Sequence, residues 1–469
     1  MERIHKYIWW MELLYILLML TVGFMEACSL TFGSRIISFF LWPGVFLGGL
    51  LILTRLRFYK EYIKMRFFAL LILFCLSYGI SAILNRDHGF YRNFRILVLL
   101  AYTFFIIYGY APGITGKGKE RQFGIAGIYY IVGTGVLSLL SFISLFLGKS
   151  EIFYPQEGPI YYIGFHWGRL YGVYWDANIG ALMCVAAMLT AMHFLIKAKH
   201  VFLKVFLAVY MIFQLCYVSF SGSRTGMLTL CVACLSYTVL KFFPKKGKRA
   251  VVYAILSAAV SVCLIYGIKT VYNHIHIKRT DIVTVSSYVD KNKGKVNFVD
   301  SNKGALHQNI DRTDDVKDDI SNRRFDIWKS AFEIARTAPV FGITHGNVLA
   351  YVDDKLPDSY LINNSQNNRF DSMHNTFLDV LVAQGVIGLV IFLCFGAGVM
   401  VLLFKNRGFL FFDSGAGPAN ALYASVLLVM VTAMFVMTEI VYVTSPMSVM
   451  FWLGLGCLFN QIDSRTKDN

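Results

Sequence analysis

The sequence predicts an all-α polytopic membrane protein with about twelve transmembrane helices and one large extracytoplasmic loop. Three observations carry this. Of 469 residues, 57% are hydrophobic and only 15% are charged, against roughly 25% charged in an ordinary soluble domain. Apolar runs long enough to cross a hydrocarbon core of ~30 Å, about 20 residues each, recur from end to end. One long polar interruption, 269 to 375, divides them into residues 1 to 268 with nine runs and 376 to 469 with three.

The runs are placed at 8 to 25, 36 to 54, 67 to 84, 96 to 111, 123 to 147, 178 to 196, 201 to 220, 225 to 240, 250 to 268, 376 to 404, 419 to 443 and 446 to 461. The first follows Arg3 and Lys6 without a small-residue cleavage site, so it reads as a retained helix and not as a signal peptide. Lys and Arg then set the orientation. With both termini inside, the cytoplasmic connections such as "RLRFYKEYIKMR", "KAKHVFLK" and "KFFPKKGKR" hold 22 Lys and Arg, against 7 in the short connections on the other side. The net charge of +16 is thus a cytoplasmic rim facing anionic lipid, and nucleic acid is not needed to explain it.

Nearly all nine cysteines fall inside apolar runs, which predicts no disulfide framework. Cys231 and Cys234 have C-x-x-C spacing but read as small buried hydrophobes. No metal site is evident.

The large loop has two halves. Residues 288 to 304 repeat V-D-x-N-K-G and read as a polar tip or a hairpin. Residues 321 to 339 place Phe325, Trp328, Phe332 and Ala335 at helical spacing, closed by Pro339 and preceded by a capping Ser321 or Asn322. This predicts an amphipathic helix packed by that aromatic face on the membrane bundle.

Four segments carry candidate chemistry. The outer connection 154 to 181 is dense in aromatics, including Trp167 and Trp175. It reads either as an interfacial belt or as a platform on which sugar rings stack while Arg169, Asp176 and Asn178 supply hydrogen bonds. "SGSRTG" (221 to 226) offers hydroxyls, backbone amides freed by Gly222 and Gly226, and the Arg224 fork ahead of an apolar helix. Such a set can seat a phosphate, although an arginine there can also snorkel to headgroups. "DSMHNTFLD" (371 to 379) puts His374 in the first turn of a helix capped by Asp371 or Ser372. The helix dipole keeps such an imidazole neutral and able to accept a proton. Arg323 and Arg324 precede the amphipathic helix, with Arg324 the inward one if Phe325 and Trp328 mark the buried face. Glu439, in the outer part of the eleventh run, is a further candidate because ionisable groups in membrane helices are functional by default.

In order along the chain, "GRLYGVYWDANIGA", "SGSRTGML", "RRFDIWKSAFEIARTAPVFGITHGN" and "HNTFLDVLVAQGVIGL" resemble the family of O-antigen polymerases and ligases. Ala177 stands where that family often has proline. The resemblance implies a GT-C-like membrane glycosyltransferase of the bacterial cell envelope, acting in the cytoplasmic membrane on polysaccharide such as O-antigen, capsule or exopolysaccharide. Its donor would be a glycan on undecaprenyl pyrophosphate, and its acceptor a sugar hydroxyl of another lipid-linked repeat unit. A chain-length regulator and a flippase would be pathway partners, and no cofactor or metal is implied. Carried over by position, His374, Arg224 and Arg324 would be catalytic. Arg323 and Arg169 would join Arg224 and Arg324 at the lipid pyrophosphate. Asp176, Asn178, Trp167, Trp175 and Asn375 would meet the glycan or acceptor. A ligase with a different acceptor, or a flippase for lipid-linked oligosaccharide, is the alternative.

Overall fold

A computed structural model describes residues 2–111, 115–153, 161–274, 282–286, 310, 323–364, 369–412 and 417–468. The repeat at 288 to 304, Tyr154 and the expected capping pair Ser321 and Asn322 lie outside the described residues. The long helices are α1 Glu2–Glu26, α2 Arg35–Leu56, α3 Phe68–Leu84, α4 Phe90–Tyr102, α5 Gly118–Phe146, α6 Ala177–Lys197, α7 Val201–Ser221, α8 Arg224–Lys246 and α9 Lys248–His274. The chain continues through α10 Arg324–Thr337, α11 Val348–Lys355, α12 Thr376–Lys405, α13 Gly417–Met434 and α14 Pro446–Asp468. Among the described residues nine helices are long and apolar enough to cross a membrane, and two shorter apolar helices, Phe68–Leu84 and Ala419–Met434, accompany them. The protein is therefore a mostly helical polytopic membrane protein.

Two helices depart from the apolar pattern, each for a reason of backbone pairing. The expected run 419 to 443 stops as helix at Met434. The irregular segment after it has its carbonyls paired by side chains. Thr376 Oγ1 donates to Met437 O (2.8 Å), Asn375 Nδ2 to Phe435 O (3.2 Å) and Trp452 Nε1 to Ile440 O (2.9 Å). Irregular backbone at membrane depth is tolerated only when buried and satisfied in this way. Glu439 thus lies in this connection, buried, and not in a helix.

At the other departure α4 widens into a π-helix, Thr103–Tyr108. Widening frees carbonyls, and two cations take them. Lys119 Nζ donates to Ile106 O (3.0 Å) and Gly109 O (2.9 Å), while Arg55 contacts Phe105 O and pairs with Glu12. Gln122 Nε2 donates to the other Glu12 oxygen at 3.1 Å. Arg55 and Lys119, expected on the solvated cytoplasmic rim, are fully buried. Glu12→Ala leaves the Arg55 charge buried without its carboxylate, and a loss of about 3–5 kcal/mol is expected. Thermal unfolding in detergent checks this; an unchanged midpoint would contradict it.

One end of the bundle joins Trp9 to Gly118 (2.9 Å), Arg66 to Asp463 (2.7 Å) and Asn460 to Gly116 (2.8 Å). The opposite end joins Trp175 N to Ala27 O and Ser29 N to Val173 O, both at 2.8 Å. It also carries a four-stranded sheet, β1 Lys149–Phe153, β2 Tyr161–His166, β3 Arg169–Gly172 and β4 Ile282–Ser286, in the order β3-β2-β1-β4. The sheet is a small addition at one end of an otherwise helical membrane protein. Its hairpin β2–β3 turns in two residues, Trp167 (φ 46°) and Gly168 (φ 66°), with His166 opposite Arg169. Positive φ at both central residues is what a two-residue hairpin requires; only glycine takes it without strain.

On the same end, α10 and α11 form a small apolar core from Ile327, Ala331, Ile334, Ile343, Val348, Val352, Leu361 and Met373. The buried face of α10 is therefore Ile327, Ser330, Ala331 and Ile334. This reverses the expected orientation: Phe325 (67% exposed) and Phe332 (52%) point outward. The helix is apolar on two sides, and the smaller aliphatic side chains fill the core.

Residues 339 to 344 dock into a break in α12. At Gly385 the backbone leaves the helix (φ 63°, ψ −162°). Val386 N donates to Pro339 O, Ile343 N to Val382 O and Thr344 N to Ala383 O, each at 2.9 Å. A Cβ at Gly385 would lie 2.3 Å from Val340 O. Gly385→Ala therefore meets both a backbone region open essentially to glycine alone, worth up to about 3 kcal/mol, and a clash with main chain. The expected result is a lowered melting temperature with accelerated proteolysis of the loop; a melting curve like that of the unmodified protein would contradict this docking.

Candidate functional site

Two strips of side chains meet on the sheet-bearing end. The first is built where α7 turns into α8. Gly222 ends α7 in the left-handed conformation, Ser223 caps α8, and Arg224 is its first residue. Ser223 Oγ accepts from Gly226 N (3.0 Å) and donates to Asn178 Oδ1 (2.8 Å). The same Asn178 oxygen accepts from Arg169 Nη2 (2.8 Å), and Arg169 Nε donates to Ser221 O (2.8 Å). Arg169 is buried and braces the hairpin against the α7–α8 turn. Gly226 has a different use from the one expected: its amide already has Ser223, and a Cβ there would sit 2.6 Å from Ala181 Cβ. It lets α8 approach α6.

Asp176 caps α6, its Oδ1 accepting from Asn178 N (2.6 Å) and Ile179 N (3.2 Å). Half-buried Arg224 leaves the turn beside this cluster. Trp175 stacks on Phe32, with ring centroids 3.9 Å apart. Trp167, at the hairpin tip, is 60% exposed and meets Tyr162 edge-on at 4.6 Å.

The second strip is built where the large loop enters α12. The cap of that helix is Asn375, whose Oδ1 accepts from Phe377 N (3.0 Å) and Leu378 N (3.2 Å), and not Asp371 or Ser372. Asn375 Nδ2 already donates to Phe435 O. Both ends of this buried amide bond the backbone, which occupies its oxygen and one of its two amide hydrogens. His374 therefore stands one residue before the cap, not in the first turn of the helix, with φ 48°. Asp379, one turn into α12, reaches back to accept from Met373 N (2.9 Å) and holds Thr438. This reciprocal bonding fixes the backbone that presents His374. Trp328 Nε1 of α10 donates to Met373 O (3.1 Å), bringing the start of α10 against the same segment.

Electrostatics link the two strips. His374 is exposed at the surface, yet the surrounding protein desolvates it enough to hold it below the ordinary histidine value. The Arg324 guanidinium adds to this, while Asp176 and Asp371 act in the opposite sense. The groups that act on His374 thus include Arg324 from the large loop and Asp176 from the first strip. Buried Glu439 likewise faces Asp176 and Glu26. Arg323 lies at the α10 cap position in a left-handed conformation (φ 63°). Trp167, Arg323, His374 and Tyr442 are four of the six non-glycine residues described with positive φ. Such strain persists only where surroundings over-determine it, and it gathers at working sites.

Sequence reasoning passed over three neighbours. Arg92 approaches Asp371 at 4.0 Å. His345 stacks on Tyr442 at 5.2 Å, and burial, with Arg92 acting in the same direction, pushes it down to about 4. Each has its partner more than 90 residues away in the chain, so no local spacing signals them. Among the described residues no cluster of three His, Cys, Asp or Glu is placed to hold a metal ion.

A family model described as O-antigen ligase matches residues 206–393, from within α7 to the crossing part of α12. None of the curated proteins matches the chain.

Proposed function

We propose that this chain, assigned by residues 206–393 to the O-antigen ligase/polymerase family, is a polysaccharide polymerase at the outer face of the bacterial cytoplasmic membrane. It would transfer a glycan from undecaprenyl pyrophosphate to a sugar hydroxyl of a second lipid-linked repeat unit. All twelve apolar runs of the sequence would cross the membrane in a GT-C-like arrangement. Both termini would be cytoplasmic, in keeping with the basic connections at their end of the bundle. The observation that supports the reading is that Arg324, from the large loop, and Asp176, which precedes that loop in the chain and sits by the Arg224 turn, are both among the charges acting on His374.

In the reaction the bond between the anomeric carbon and the pyrophosphate oxygen breaks as the acceptor oxygen bonds to that carbon. The departing pyrophosphate gains negative charge, and Arg224 and Arg324 supply fixed donors for it. Arg323 would extend that seat from the same loop. The acceptor hydroxyl loses its proton to neutral His374. Arg169 would act by positioning: it ties the hairpin and Asn178 to the turn that presents Arg224. Asp176 would orient the acceptor, and the exposed Trp167 would stack on its sugar.

A ligase would need the same donor chemistry and differ in acceptor. A flippase would need charge along a midplane path, whereas the candidate-site charges here lie toward the sheet-bearing end and the buried Arg55 and Lys119 are bonded to Glu12 and to main-chain carbonyls elsewhere. Cells lacking the protein should accumulate single repeat units on the outer leaflet. Accumulation on the inner leaflet would favour the flippase and contradict the enzyme.

A further inference from the structure

Among the described residues, an apolar stripe on α10 is left without cover. Phe325, Trp328 and Phe332 line one side of the helix around an open groove of ≈ 410 Å³, with Lys329 and Arg336 at its margins. Phe325 and Phe332 are more than half exposed.

The course of the stripe is fixed by its contacts with α12. At its upper end Trp328 bonds Met373, next to His374. At its lower end Pro339 and Val340 accept from Val386 N and Ile387 N. Along α12 these levels are separated by about 20 Å. From Val386 to Lys405 the helix is about 30 Å long, the thickness of the hydrocarbon core. A membrane with its inner edge at Lys405 would have its outer boundary near Val386, where Val340, Val386 and Val390 are each about half exposed. The aromatic stripe runs from Phe325, next to Arg324, to Phe332, with Glu333 and Arg336 on the groove beyond it, and the chain then meets α12 at Pro339 and Val340.

A phospholipid does not fit this track. Its headgroup stays at the boundary and its chains run inward, which leaves the aromatic stripe above it facing water, an unfavourable exposure for a patch of this kind. A long isoprenoid chain fits at both ends: its pyrophosphate reaches Arg324, and its tail covers the stripe before entering the bilayer. Resting on the lipid-linked donor proposed above, we infer that the outward face of α10 is the binding track for the polyprenyl tail of the donor. This would place the tail on the large loop as well as in grooves between membrane helices.

The test is direct binding, in nanodiscs, of a long-chain polyprenyl pyrophosphate and of geranyl pyrophosphate to the full chain and to a Phe325→Ala, Phe332→Ala double variant. Both rings are exposed, so the variant should fold. The unmodified protein should prefer the long chain, and the variant should bind it about tenfold to a hundredfold more weakly while geranyl pyrophosphate is unaffected. A variant that keeps the full preference for the long chain would assign the stripe to bulk lipid and overturn the inference. An unmodified protein that binds both ligands alike would overturn the tail track alone; one that binds neither would instead remove the donor reading on which it rests.

Discussion

Arg224→Ala is expected to reduce glycan transfer by about 10²–10³-fold, the loss seen when one preorganised donor is removed from a developing negative charge. The side chain begins α8 at a turn held by other groups. Gly222 supplies the left-handed residue, Ser223 the cap, and Asn178 with Arg169 the brace. The turn should therefore survive the substitution, and the melting temperature should change little. Arg224→Lys keeps the charge but loses the planar fork that matches phosphate, so it should recover only part of the rate. Cells carrying Arg224→Ala should accumulate unpolymerised repeat units with the protein still in the membrane. Normal polymer from those cells would remove Arg224 from the pyrophosphate seat.

His374→Ala should reduce turnover by about 10²–10⁴-fold, the range for loss of a general base, and leave donor binding nearly intact. The pH dependence gives a sharper signature. Desolvation and then Arg324 hold the His374 value below its ordinary position near 6.5, so the neutral, proton-accepting form is already complete at neutral pH. Plotted for the free enzyme as kcat/KM, activity should be flat through neutrality and fall only as pH drops below about 6.5. Arg324→Ala removes the nearby positive charge, and the acid limb should move toward higher pH. That shift separates a titrating His374 from one that merely shapes the loop, because a structural role leaves the limb in place.

The membrane architecture was legible because a crossing needs about 20 apolar residues and the sequence marks each such run. What happens within a run was less visible. "AQGVIGL" is apolar throughout, and nothing local says that Gly385 breaks α12 to receive residues 339 to 344. The burial of Arg55 and Lys119 depends on a π-helix in a third segment, so both looked like rim charges. The strands at 149 to 172 are short and surrounded by aromatics that also suit a membrane interface.

The candidate site was legible as residue types and less so as roles. Arg324 is among the charges that act on His374, while the reason given for its direction fails, since Phe325 points outward. Asn375 took the capping role expected of Asp371 or Ser372. Helical periodicity identifies an apolar stripe, and for α10 there are two; which one is buried is decided by the aliphatic core of the loop.

The most direct measurement is a reaction of the purified protein in lipid nanodiscs with one defined undecaprenyl-pyrophosphate-linked repeat unit, resolved by product length. The account predicts a ladder of products growing by whole repeat units from the unmodified protein, and none from Arg224→Ala or His374→Ala. A correctly inserted protein that leaves the repeat unit unchanged, or a ladder that persists in both variants, would contradict it.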